Sequence, residues 1–334
     1  MPVPGDRARG RHRDAGGRRN SPTTYPPTSQ ETMSDAVMDC GGAPDRRSFR
    51  VTVALITRNR RESVLRTLDR LAALPERPPV IVVDNGSADA TVAAVRAHPV
   101  GAHVLAVGHN TGALGRNLAV RHATTPYVAF SDDDSWWEPG ALEAAADLLD
   151  AYPRLGLLAA RTLVGPDGVD DPLNSALANS PLPPAPQLPG RPVLGFLACA
   201  AVVRRRAFLD AGGFHPVLFF GGEETLLAYD VAARGWGVSY VPSVTAHHHP
   251  EPGGRPGRRA VQRRNALLTV WLRRPLTVVL RHTVRLAAAA VRGERDAATA
   301  LRGALARLPA VLENREPLPA RVERSVRLLD RQST

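Results

Sequence analysis

Three adjacent aspartates, Asp132-Asp133-Asp134, are the strongest chemical signal in this chain of 334 residues. Neighbouring carboxylates repel one another, so ionising all three favours a nearby cation. A hard divalent ion such as Mg2+ prefers oxygen ligands. Such an ion bridges protein carboxylates and a diphosphate and neutralises charge on a departing nucleoside diphosphate. The plainer alternative is a solvated acidic turn. The apolar run before the aspartates and Trp136-Trp137 after them favour the ion site.

Four other groups could take part in the same chemistry. Asp84-Asn85-Gly86-Ser87 also follows an apolar run. Its aspartate either accepts a hydrogen bond from a nucleobase or ribose or closes an Asx turn. Glu223-Glu224 follows two glycines. One of its carboxylates either acts as general base toward an acceptor hydroxyl or complements a helix dipole. In His247-His248-His249, strand alternation puts His247 and His249 on one side and His248 on the other. An imidazole there completes a metal shell or belongs to a polar loop. No nearby Cys or HxxxH spacing supports structural zinc. Arg58, Arg60 and Arg116 suit phosphates, although in a chain this rich in Arg a solvated surface role competes for each.

These groups need a scaffold that brings them together. Val51–Ile56, Val80–Val83, Val104–Val107, Tyr127–Phe130 and Leu155–Ala160 read as short strands. Between them, apolar residues recur at helical spacing, as in Val64, Leu65, Leu68, Leu71 and Leu74. Strands that are apolar on both faces and alternate with helices predict an α/β fold with a mostly parallel sheet. Ligands of such sheets bind beyond the carboxyl ends of the strands. Thr57, Asp84 and the Asp132 run all sit there. Residues 162–192 read as a long Pro- and Asn-rich loop. A helix opens at Gly221-Gly222 and closes at Gly235, and a last strand, Val238–Ala246, delivers the histidines. Three regions are expected: a disordered tail over residues 1–48, an α/β domain over 49–257 and a helical extension over 258–334.

Composition narrows the function classes. The net charge of +11 suggests nucleic acid, but all 43 basic residues are Arg and aromatics make up only 5%. That points to compositional bias, and no specific nucleic-acid partner is expected. Cys40 and Cys199 form no CxxC pair, so a reducing compartment is expected. The longest apolar run is about half of a spanning helix, and the first 30 residues hold no apolar leader segment,. A cytoplasmic location is therefore expected, with translation starting at Met1, Met33 or Met38. The Arg-bearing helices from about residue 258 to 308 either pack on the domain or lie on an anionic membrane.

Several stretches in register resemble family 2 glycosyltransferases of the GT-A fold. They are Val53–Arg60 (VALITRNR), Ile81–Ser87 (IVVDNGS), Asn110–Asn117 (NTGALGRN), Val128–Asp134 (VAFSDDD), Ala211–Phe214 (AGGF), Gly222-Glu223-Glu224 and the late His. The resemblance spans about residues 50–275. It implies a nucleotide-diphosphate sugar donor, a hydroxyl acceptor and a divalent cation, Mg2+ or Mn2+. It further implies that Thr57, Arg60, Glu62, Asp84 and Asn85 hold the base and ribose, and that Arg116 flanks the diphosphate. Asp132 then faces the sugar and ribose and shares the metal, Asp133 lies between them beside the nucleotide, and Asp134 and His247 bind the metal. Glu224 stands at the base position with Glu223 beside it, where the family usually carries Asp at the base. The implied reaction is inverting transfer of a hexosyl or deoxyhexosyl group, of the kind used in cell-envelope polysaccharide assembly.

Two rival functions remain. A sugar-phosphate nucleotidyltransferase would use a similar fold and metal. A basic nucleic-acid-binding protein would rest on the Arg-rich tail. A dehydrogenase is disfavoured because no GxGxxG follows the first strand.

Overall fold

The computed structural model describes residues 49–251 and 257–332. The expected tail over 1–48, with Met33, Met38 and Cys40, lies outside them. The first half alternates strand and helix: β1 (Val51–Thr57), α1 (Arg61–Ala72), β2 (Val80–Asp84), α2 (Thr91–Ala97), β3 (His103–Ala106), α3 (Leu114–His122) and β4 (Tyr127–Asp132). Then come β5 (Ser135–Trp137), α4 (Ala141–Ala151), β6 (Leu155–Val164), β7 (Val169–Asp170), α5 (Pro172–Ala178) and β8 (Arg191–Pro192). A 3-10 turn at Ala198–Ala200 leads into β9 (Ala201–Arg204), α6 (Arg205–Asp210), α7 (Glu223–Ala233) and β10 (Gly237–His248). The chain closes with α8 (Arg258–Arg273), α9 (Leu276–Val291), α10 (Arg295–Leu305), α11 (Leu308–Asn314) and α12 (Ala320–Gln332).

The strands form one sheet in the order β3-β2-β1-β4-β9-β6-β10-β5. Its first four strands are parallel, as their two-sided apolar runs predict. Val53 and Leu55 enter the core on one face, with α1 and α4. Ala54 and Ile56 enter the core on the other, with α3, α6 and α7. The second half is mixed. Strand β9 runs antiparallel between β4 and β6, β10 is parallel to β6, and the three-residue β5 is antiparallel to β10. The region read as one loop contains β7, α5 and β8. Asp171 caps α5 by accepting from the Leu173 amide at 2.8 Å, with Pro172 in its first turn,.

The C-terminal helices bury a third core against α7, where Leu226 meets Leu267, Leu268, Trp271 and Leu272. Two buried ion pairs add direction to that packing. Arg273 of α8 holds Asp230 of α7 through two bonds, at 2.6 and 3.1 Å. Arg274 holds Glu323 of α12 at 2.8 Å. Buried pairs add little net stability but penalise any other arrangement of their helices. Among the described residues no helix is long and apolar enough to cross a membrane.

Candidate active site

The register of the sheet builds the site. Asp132 ends β4 opposite Ile56 of β1, and Thr57 stands opposite Asp84. Beyond Asp132 the chain turns and returns as β5, which pairs with β10 so that Ser135 lies opposite His248. This short return brings the histidines to the aspartates. The Asp134 carbonyl accepts the His249 amide at 2.8 Å.

Each aspartate in the run has its own partners. Asp132 accepts from the guanidinium of Arg116. Asp133 turns inward and is 7% exposed. It accepts from the Thr57 hydroxyl at 3.0 Å and pairs with Arg60 Nε at 2.8 Å. Burial pushes its carboxyl up to about 7; Arg60 opposes the rise, and the charges of Asp134 and Asp132 add to it,. Asp134 pairs with Arg60 Nη2 at 3.0 Å and lies 3.5 Å from His248 Nε2. Burial works to lower the His248 pKa, but the contact with Asp134 and the charge of Asp132 leave it raised above 6.5.

The histidines divide as alternation predicts, but the one that reaches the aspartates is His248. His247, the residue the family resemblance assigns to the metal, instead bonds Glu138 and stacks on Trp136 with centroids 5.7 Å apart. His249 also lies against Trp136. The bulky indole thus claims one face of β10, and the aspartates face the other. Asp132, Cys199 and His248 offer ligand atoms within 4.8 Å of one another. Burial raises the Cys199 thiol well above its usual range, and the nearby Asp132 charge adds to the rise. Asp134 joins this cluster through His248, at 3.5 Å; carboxylate and imidazole donors suit a divalent cation.

Other expected nucleotide contacts have roles within the fold. Asp84 accepts from the amides of Gly86 and Ser87, at 3.1 and 2.8 Å, and from the Ser87 hydroxyl. That is the Asx-turn alternative. Asn85 accepts from the Thr111 hydroxyl at 2.6 Å and donates to the Gly112 carbonyl at 3.1 Å. It thereby fixes the loop before α3. Arg60 is shared among Asp133, Asp134 and Glu251. Glu62 is exposed in the first turn of α1. Arg58 is exposed beyond the end of β1.

Arg116 differs from these residues. Its side chain is 1% exposed, yet Nε and Nη1 have no hydrogen-bond partner. Leaving a buried donor unsatisfied costs about 1–3 kcal/mol, more when the group is charged. The guanidinium lies over the Phe214 ring at 5.6 Å and feels the charges of Asp132, Glu223 and Glu224. Two free donors on a buried cation suit an anionic ligand.

Glu223 and Glu224 open α7 after Gly222, which has φ +89. Glu223 is 3% exposed and its Oε2 is unpartnered. Burial pushes its carboxyl up to about 8, the neighbouring Glu224 charge adds to the rise, and Arg116 opposes it. Burial also raises Glu224, whereas backbone amides of Glu224 and Ala198 and the Arg116 charge hold it down. Burial thus raises both carboxyls of the pair, and the charge of Arg116 opposes the rise in each.

Two residues absent from the sequence expectation position this pair. Asn265 of α8 is fully buried and donates to the carbonyls of Leu218, Phe220 and Gly221 at 2.7–3.0 Å. Phe219 takes φ +65, and its carbonyl accepts from Ala113 at 2.8 Å. A Cβ on Gly112 would come within 2.3 Å of that carbonyl, so only glycine permits the approach. The 218–222 loop is thus bound to the start of α3, which carries Arg116, and to α8. An Asn inside an Arg-rich helix gives no signal of such a task. A recess of about 640 Å³ beside Trp236 and Arg321 shares no residue with this site. The candidate residues lie instead at the carboxyl ends of the strands.

Known proteins resemble this chain in sequence and in fold. Residues 52–212 match the family described as glycosyl transferase family 2. The chain is 30% identical, over 222 residues, to the N-acetylglucosaminyl-diphospho-decaprenol L-rhamnosyltransferase of Mycobacterium tuberculosis (strain CDC 1551 / Oshkosh); the match covers 55% of this chain and 71% of that protein. In fold it resembles S. aureus TarS 1-349, with a TM-score of 0.55 at 18% identity over 82% of each chain. It also resembles GalNAc-T7 in complex with UDP, GalNAc and Mn2+, with a TM-score of 0.54 at 13% identity. That likeness covers 69% of this chain and 49% of GalNAc-T7. The mixed α/β sheet is that of GT-A glycosyltransferases, and the chain belongs to glycosyltransferase family 2, whose members transfer sugars from nucleotide-sugar donors.

Proposed function

We propose that this enzyme moves a hexosyl or deoxyhexosyl group, with inversion, from a nucleotide-diphosphate sugar to a hydroxyl of a lipid-linked acceptor in cell-envelope assembly. The observation that carries the proposal is the convergence of Asp132, Arg116 and Glu224, whose charges act on one another. The acceptor class is supported by the relative whose name specifies a decaprenol-linked substrate.

In this reading Glu224 takes the proton of the acceptor hydroxyl as its oxygen bonds the anomeric carbon. The bond from that carbon to the donor phosphate breaks, and the electron pair leaves with the nucleoside diphosphate. Arg116 directs its two free donors at the diphosphate and stays fixed during the reaction, because Asp132 and Phe214 already hold it. Asp132, Asp134 and His248 fit a divalent cation, Mg2+ or Mn2+, which when bound supplies charge neutralisation at the diphosphate. His248 must give up its proton to serve as a ligand, so metal affinity is expected to fall below neutral pH. Asp133, Thr57 and Arg60 support the run from beneath.

Calorimetry with a panel of nucleotide sugars, with and without Mn2+ or Mg2+, tests the donor and metal. Saturable binding of one donor that strengthens with metal is expected. Turnover of a sugar phosphate with a nucleoside triphosphate, in place of sugar transfer, would overturn the proposal in favour of a nucleotidyltransferase.

A further inference from the structure

Helix α9 leaves one apolar face uncovered. At about 100° per residue, Leu276, Leu280, Val284, Ala287 and Val291 fall within an arc of roughly 80°. Leu276 is 71% exposed, Leu280 66%, Val284 56% and Val291 89%. Exposed leucines scattered singly are ordinary, but a row along one helix face marks an interaction surface. The opposite side of α9 is occupied: Val278 and Ala289 are buried, and Val279 and Leu286 pack against the α8 core. Trp271 of α8 donates to the Thr283 hydroxyl at 2.9 Å. The helix cannot roll its apolar row inward without losing that bond and that packing.

Charge identifies what covers the row. Helix α9 carries Arg281, His282 and Arg285 and no acidic residue. Arg281, Arg285 and Arg292 are exposed and fall at about 140–180° on the same projection, along one edge of the apolar row. An apolar arc bordered by guanidinium groups suits a helix lying in the headgroup region of a bilayer. The apolar side chains then enter the acyl boundary, and the Arg stems reach lipid phosphates. A second copy of this chain would bring the same cationic edge with it and add like-charge repulsion.

We propose that α9 docks the enzyme on an anionic phospholipid membrane through the Leu276–Val291 row and its Arg edge. Membrane binding rests on α9 alone, whereas its purpose, delivery of a lipid-linked acceptor, rests on the function proposed above. Helix α9 packs on α8, and Asn265 of α8 holds the loop before Glu223 and Glu224.

Co-sedimentation of the full chain with phosphatidylcholine vesicles, and with phosphatidylcholine–phosphatidylglycerol vesicles, tests this. The unaltered protein is expected to bind only the anionic vesicles, less tightly as salt rises. L280E/V284E is expected to lose binding more than about tenfold, since buried methylene groups contribute roughly 0.8 kcal/mol each. R281Q/R285Q is expected to lose roughly thirty-fold, from about 1 kcal/mol for each Arg. Both variants keep the Arg-rich first 48 residues, so a difference from the unaltered protein reports α9. Unchanged thermal unfolding and unchanged calorimetric donor binding show that fold and site survive. Vesicle binding by both variants equal to that of the unaltered protein would overturn the proposal. So would a dimer of the unaltered protein in sedimentation velocity that L280E/V284E dissolves. Failure of the unaltered protein to bind any nucleotide sugar would count against the proposed function and leave the vesicle result to stand separately.

Discussion

The two acidic clusters of the site are built on opposite principles. In Asp132-Asp133-Asp134 every carboxylate has a cationic partner: Arg116 for the first, Arg60 for the second, and Arg60 with His248 for the third. In Glu223-Glu224 the nearest cation, Arg116, is already bonded to Asp132, and Glu223 keeps an unpartnered buried oxygen. The first cluster balances its carboxylates with cations. The second is poorly compensated, and burial raises both of its carboxyls, which suits acid–base work. Acidic composition alone does not separate these roles; the neighbouring cations do.

If that contrast is right, Glu224→Gln has the largest effect. Transfer should fall about 10²–10⁴-fold, the usual contribution of a general base, while calorimetric donor affinity stays nearly unchanged. Retained turnover would remove Glu224 as the base and make the clusters alike. Asp134→Ala should act in the opposite way, by weakening metal-dependent donor binding. At least the roughly tenfold loss that follows removal of an outer-shell partner is expected. Donor titrations that coincide with and without Mn2+ would deny the first cluster its metal.

Asn265→Ala probes how firmly the second cluster is held. It leaves three buried carbonyls short of a donor, which should lower stability by about 1–3 kcal/mol in urea unfolding. Turnover should fall more than the Michaelis constant rises, since Asn265 touches no substrate. A change confined to stability would make the clamp purely structural. The smallest effect is in pH dependence. Glu223, ordinarily near 4.5, is pushed up to about 8 in the folded chain. Between these values the folded state keeps a proton that the unfolded chain has lost. Its contribution therefore favours folding at low pH and weakens as pH rises from about 5 to 8. Glu223→Gln should flatten the fall of melting temperature across that window. An unchanged slope would place the shared proton elsewhere.

Much of the parallel half was legible because its signals are local. Runs such as Val80–Val83 are apolar on both faces, and the polar residues ending them mark the ligand edge of the sheet. The antiparallel insertion of β9 was not legible, since three apolar residues and an Arg carry no direction. Nor was β5, whose three residues become a strand only by pairing with β10. The oxygens of Asp84 close their own turn, and Arg60 pairs with Asp133 and Asp134. Residue type and strand-end position give no sign of these partners.

The order of motifs along the chain was enough to establish the family, the alternation of strand and helix, and the candidate acids Asp132, Asp134 and Glu224. Periodicity and residue chemistry are written in neighbouring positions, so they survive without coordinates. The tertiary structure decided which histidine meets the aspartates, that burial raises both glutamates, and that α8 holds the loop before them. Each of these depends on groups far apart in sequence: Trp136 against His247, Arg116 beside Glu224, Asn265 beneath Gly221. Burial and charge at those contacts are properties of the packed chain, and no local pattern encodes them.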